Sequence, residues 1–98
     1  LAGRFSTESF PALIVDEKTG PGPNDFGNTG GITIPAVGDF PFLKPVVLLT
    51  NRRCYSATNT FTAITKSLDQ FYHLGDTTGG GGGIPIDYEL PNGWRYRF

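Results

Sequence analysis

Much that would steer a small protein toward a familiar role is scarce in this sequence. It has a single cysteine, Cys54, so no internal disulfide framework can staple the chain. Positive charge is not in excess, since 8 Lys and Arg stand against 9 Asp and Glu, for a formal net charge of −1. Such a balance has nothing to spare for displacing counterions from nucleic acid or for seeking anionic lipid, and neither partner is expected. Apolar runs such as Val46–Leu49 fall far short of the roughly 20 residues that cross a bilayer, so no membrane-spanning segment is expected. No basic-then-apolar leader is visible at the start. His, Cys, Asp and Glu nowhere fall at metal-ligand spacing, and neither a metal nor another cofactor is expected.

What is present is a chain of 98 residues, room for one small domain or a piece of a larger one. Hydrophobic residues make up 38% and aromatics 13%, enough to build a core and too many for a disordered segment. With 14 Gly and 8 Pro, a large share should be turn and loop. The chain opens on Leu1, and it stops inside Trp94-Arg95-Tyr96-Arg97-Phe98, which reads as a strand still running. The expectation is a single incomplete domain, part of a longer protein.

That domain divides into 1–44, a strand and an irregular Gly/Pro-rich loop, and 45–98, a strand, a helix, a Gly-rich loop and a hairpin. Residues 12–17 read as a strand that ends in the turn signal Lys18-Thr19-Gly20-Pro21-Gly22-Pro23. From Gly20 to Pro45 the density of Pro and Gly excludes a helix, because Pro lacks the amide donor and Gly loses the most backbone entropy. Pro45-Val46-Val47-Leu48-Leu49-Thr50 is the clearest strand, with the uncharged β-branched pattern of one covered on both faces. Residues 56–72 read as a helix, with Ala57, Phe61, Ile64, Leu68 and Phe71 or Tyr72 forming one apolar stripe. Thr58, Thr60, Thr62 and Thr65 give that helix poor intrinsic propensity, so it depends on packing. Ile84–Leu90 and Trp94–Phe98 flank Pro91-Asn92-Gly93, a hairpin signal.

Several residues could carry chemistry. Gly79–Gly83 could cradle a phosphate, but Ile84-Pro85-Ile86 follows instead of Lys, Ser/Thr and a helix. The commoner reading is a backbone able to pass close to another chain, such as an extended substrate. Cys54 and His73 could form a thiol pair, but a lone Cys is more often a small buried hydrophobe, and His73 reads as a structural residue entering a strand. Asp25-Phe26-Gly27-Asn28-Thr29-Gly30-Gly31 has the look of an anion-holding turn and reads more simply as a solvated loop. Ser56 lies between a buried strand and the head of a helix. There its hydroxyl can cap free amides, the ordinary reading, or act as a nucleophile beside amides that stabilise an oxyanion.

Pro45–Gly82 resembles the C-terminal-processing (tail-specific) serine peptidases and their tricorn-core and retinoid-binding relatives. The resemblance rests on Val46–Thr50, Asn51, Ser56-Ala57-Thr58, the following helix, and Gly75-Asp76-Thr77-Thr78-Gly79-Gly80. The hairpin Leu90-Pro91-Asn92-Gly93-Trp94-Arg95-Tyr96-Arg97 and the run Gly20–Phe26 resemble bacterial members. It implies a partial crotonase-like (ClpP-like) α/β core, strand–helix–strand followed by a β-hairpin, that hydrolyses peptide bonds through an acyl-serine. Ser56 would be the catalytic nucleophile and the Ala57 backbone amide half of the oxyanion hole. Gly79, Gly80 and Gly81 would touch a peptide or protein substrate, with Asp76 and Thr78 as structural support. Bacterial members are usually exported, which implies a periplasmic or extracellular location.

The departures from that pattern bear on mechanism. The lysine that serves as base in the processing peptidases falls at Gly81, and Asn59 replaces the acidic or glutamine-like residue after the serine, so a Ser–Lys dyad is excluded. The histidine and acidic segments of the tricorn-core branch do not occur in these residues. Asn28-Thr29-Gly30-Gly31 mimics the end of the family's upstream oxyanion motif, but the short stretch to Pro45, broken by Pro35 and Pro41, has no room for the helix between. A serine without a base does not react at neutral pH. The chain is therefore expected to be inactive alone and to need the remaining segments of its parent protein. A non-catalytic relative that binds a ligand or peptide, and a plain β-rich structural module, are the competing expectations.

Overall fold

The computed structural model describes residues 1–83 and 85–97 and is a small mixed α/β assembly. After a 3-10 turn at Ala2–Phe5, strands β1 (Phe10–Lys18) and β2 (Phe26–Ile34) form an antiparallel hairpin running from Phe10↔Ile34 to Lys18↔Phe26. Bulges interrupt it between Pro11 and Leu13 and between Val15 and Asp16. Pro11 is tolerated beside the first irregularity because it has no amide to give the ladder. The 19–25 loop is closed by Thr19 N–H donating to the Asp25 carbonyl (2.8 Å) and Gly22 N–H donating to Asp25 Oδ2 (2.6 Å).

The second unit is β3 (Val46–Thr50), α1 (Ala57–Thr65) and β4 (Phe71–Gly75), with β3 and β4 parallel from Val46↔Phe71 to Thr50↔Gly75. Parallel strands need a crossover, and α1 supplies it. Leu68 and Phe71 are buried with Ala2 and Phe10, and Phe5, Ala12, Ile34, Val46, Leu48, Phe61 and Ile64 pack against them. Phe5 meets Phe71 edge-to-face at 4.9 Å between centroids, which ties the N-terminal turn to β4. Strands β5 (Asp87–Glu89) and β6 (Arg95–Arg97) form a last antiparallel hairpin. Its turn is a three-residue loop. Gly93 N–H donates to the Leu90 carbonyl and Leu90 N–H to the Trp94 carbonyl, both 2.8 Å, and Gly93 takes φ 83°.

Four expectations change. The Gly/Pro-rich stretch is irregular only in part, because Phe26–Ile34 is β2, paired through β1 despite its glycines. This strand takes in most of the expected loop at 25–31. The helix stops at Thr65 and not at residue 72. Lys66, Ser67 and Leu68 close with i→i−3 bonds of 3.2 Å, and the β-prone Phe71-Tyr72-His73-Leu74 leaves to pair with β3. Strand β3 is covered on one face only, with Val47 60% and Leu49 70% exposed. The last hairpin's ladder is shorter than the runs that predicted it, and the expected strand ends Ile84 and Phe98 lie outside the described residues.

Candidate active site around Ser56

The site begins where β3 ends. Asn51 folds the chain back: its carbonyl accepts from Cys54 N–H (2.9 Å) and its side-chain Oδ1 accepts from Arg53 N–H (2.8 Å). Tyr55 then pairs with Gly80 in an isolated parallel bridge, and α1 starts at Ala57. Ser56, between them, has φ 55° and ψ −120°, the only positive-φ non-glycine among the described residues. A side chain held there costs about 1–3 kcal/mol, which persists only where surrounding contacts over-determine it. The expected cap does not form, for the Ser56 hydroxyl makes no side-chain cap hydrogen bond. Its backbone is fully engaged instead: Ser56 N–H donates to the Gly80 carbonyl (2.8 Å), and the Ser56 carbonyl accepts from Thr60 N–H (2.9 Å). Among the described residues the Ala57 amide has no backbone partner, as the first turn of a helix leaves it.

Ser56 opens on a cleft of about 580 Å³. Leu13 and Val15 of β1, Ile32 and Ile34 of β2, and Phe61 and Ile64 of α1 give it apolar walls. Ala57, Thr60 and Gly81–Gly83 complete the rim beside the serine. No His, Lys, Arg, Asp or Glu lines it among the described residues.

The glycine run is built against its own chain. A Cβ on Gly79 would strike the Arg52 carbonyl oxygen, and one on Gly81 would enter the Tyr55 ring. Gly80 and Gly81 take φ 81° and 76°. The Cβ side of Gly79 and Gly81 is thus taken up by the Arg52–Tyr55 turn. Gly80 faces open space. Asp76 and Thr78 anchor the segment before it. Asp76 N–H donates to the Thr50 carbonyl (2.9 Å), Thr50 Oγ1 donates to the Asp76 carbonyl (2.8 Å), and the Asp76 carboxylate meets Arg52 Nε at 3.3 Å. Thr78 Oγ1 donates to Asn59 Oδ1 (2.6 Å), joining this segment to α1. Cys54 and His73 have separate partners: Cys54 Sγ accepts from Asn51 N–H at 3.5 Å, and His73 Nε2 lies 3.0 Å from Thr65 Oγ1. Among the described residues no cluster of His, Cys, Asp or Glu could hold a metal ion.

Sequence reasoning missed two things. The i, i+2 pairs Leu13/Val15 and Ile32/Ile34 mark one face of a hairpin, a signal that was available once 26–34 is read as a strand. Tyr55 carried no signal, because its role depends on a contact with Gly81, 26 positions away.

A strained serine between a strand and a helix, beside a cleft, is an arrangement also met in the nucleophile elbows of hydrolases. The sequence profile of Peptidase family S41 matches residues 10–98, and the chain belongs to that family. A crystal structure of a protein from Parabacteroides merdae, described as a candidate peptidase, superposes with a TM-score of 0.85 at 42% identity. The match covers 99% of this chain and 31% of that one, so this chain spans about a third of that protein's length. No curated protein matches the chain.

Proposed function

We propose that this chain carries the nucleophile of an S41 serine peptidase, on a crotonase-like core, and that Ser56 attacks the scissile carbonyl of a bound peptide. The observation that carries this reading is the backbone of Ser56, a φ of 55° at the mouth of an apolar cleft, with a hydroxyl unspent on capping. The attack forms a bond from Ser56 Oγ to the carbonyl carbon and develops negative charge on the carbonyl oxygen. The unpartnered Ala57 amide, at the positive end of α1, is suited to receive that charge. Collapse of the intermediate expels the amine, and water then releases the acyl group from the serine. Gly80, bonded to the Ser56 amide, and Gly81, at the cleft, pass beside the serine and offer backbone to an extended substrate, while the walls formed by Leu13, Ile32 and Phe61 favour an apolar side chain.

The proton on Oγ needs an acceptor, and no side chain lining the cleft among the described residues is a base. The base therefore comes from outside this chain, in the rest of the protein, and the 98 residues alone are inactive. The test is labelling of the full-length protein with a serine-directed fluorophosphonate. Mass spectrometry is expected to find the adduct on Ser56, and Ser56→Ala is expected to lose both labelling and peptide hydrolysis. An adduct elsewhere, or hydrolysis that survives Ser56→Ala, refutes the proposal.

A further inference from the structure

The strain at Ser56 needs a holder, and the described contacts name one. The Gly79–Gly81 segment runs alongside Cys54–Ser56 as a strap. Gly79 N–H donates to the Cys54 carbonyl (2.9 Å), and Ser56 N–H donates to the Gly80 carbonyl (2.8 Å). The Tyr55 ring lies across this strap. Its Cδ2 sits 3.3 Å from where a Gly79 Cβ would be, and its Cζ and Cε atoms fill the space that a Gly81 Cβ would take. At Gly81 the ring can reach the backbone only because the residue is glycine, while at Gly79 a side chain would merely crowd it. Tyr55 is 61% exposed, so its ring is not held in the core, and the strap is a surface it packs on.

We infer that Tyr55 is a positioning residue: its ring clamps the Gly79–Gly81 strap, and the strap holds Ser56 in the conformation that faces the cleft. As a statement about catalysis this rests on the Ser56 reading above. As a statement about the elbow it stands on the contacts alone. The ring does the work, so Tyr55→Phe should keep the clamp and Tyr55→Ala should release it. Gly81→Ala should act from the opposite side, by pushing a methyl group into the ring.

The experiment measures two quantities in the full-length protein for these three variants. The first is hydrogen exchange of the Ser56 amide, which reports the bond to Gly80 whether or not the serine reacts. Tyr55→Ala is expected to speed it by about tenfold or more while the melting temperature stays near wild type, and Tyr55→Phe to leave it unchanged. The second is the rate of Ser56 acylation by the fluorophosphonate, with kcat and KM for a peptide. Tyr55→Ala is expected to lower acylation and kcat by up to about a hundredfold, as displacement of a reacting atom does, with KM little changed and Tyr55→Phe restoring the rate. If Tyr55→Ala does not fold, Gly81→Ala, which keeps the ring, decides by the same two measurements. Unchanged Ser56 exchange in the released variants overturns the clamp, and lost protection with an undiminished acylation rate overturns its part in catalysis. A wild-type protein that is never acylated at Ser56 refutes the nucleophile reading, while the exchange rates still decide for or against the clamp.

Discussion

At the scale of single residues, two neighbours share the unusual geometry. Ser56 adopts a backbone conformation that glycine would occupy without strain, and Gly81 adopts one that a side chain would strain. The resemblance to the processing peptidases aligns Gly81 with a catalytic lysine, so Gly81→Lys would look like a restoration. The geometry argues the opposite. A lysine there must take φ 76°, and its Cβ must displace the Tyr55 ring that packs over the strap. Gly81→Lys is expected to create no lysine-dependent limb in the pH–rate profile of the full-length protein and to lower the rate of Ser56 labelling. A gain in hydrolysis with a new basic limb would show that the strap yields readily. The sequence made this serine a candidate, since a hydroxyl between a strand and a helix is visible in the order of residues. Its strain was not legible there, because backbone angles at residue 56 are set by contacts with residues 79–81.

At the scale of elements, patterns with local causes were readable and those with distant causes were not. Strand β3 and the last hairpin follow from β-branched runs and from Asn92-Gly93. The end of α1 does not, because Leu68 and Phe71 continue the helical spacing past Thr65 although they bury themselves from a turn and a strand. Strand β2 was hidden by its glycines and emerges only through its pairing with β1. The last hairpin allows a sharp test. Tyr88 stacks on Tyr96 at 5.6 Å between centroids, while Asp87 meets Arg97 in two bonds of 2.7 and 3.0 Å. The hydrogen bond from Arg97 holds the Asp87 carboxyl below its ordinary value of 3.8. A depressed carboxyl stabilises the folded hairpin above pH 3.8, and that contribution is lost as pH falls through the lower folded value. Because the pair is exposed, the effect is small and salt-sensitive. Nuclear magnetic resonance of the Tyr88 and Tyr96 rings is expected to show the stack loosening below about pH 4 in wild type. Asp87→Asn is expected to show the loosened state across the range, with no pH step.

At the scale of the whole molecule, the surface is too large for the mass. A folded monomer of 10.6 kDa is expected to expose about 5,500 Å² by the usual scaling, and this chain exposes 7678 Å². Its radius of gyration is 17.0 Å, where a compact domain of this length has about 13 Å. Part of the excess is apolar and contiguous. On the outer face of the β3–β4 sheet, Val47 pairs with Tyr72 and Leu49 with Leu74, and all four are more than half exposed. An uncovered face of this kind associates with whatever apolar surface it meets. The 98-residue chain on its own is therefore expected to bind a hydrophobic dye and to elute from a sizing column as an associated species. A double change, Val47→Glu with Leu49→Glu, separates two origins of that behaviour. If the outer face is sticky only because it is bare, the variant chain becomes monomeric and stops binding dye, while the same changes in the full-length protein destabilise it through charges buried under the covering layer. If the full-length variant melts as the wild type does, the face is solvated there too, and the excess surface belongs to the molecule in its complete form.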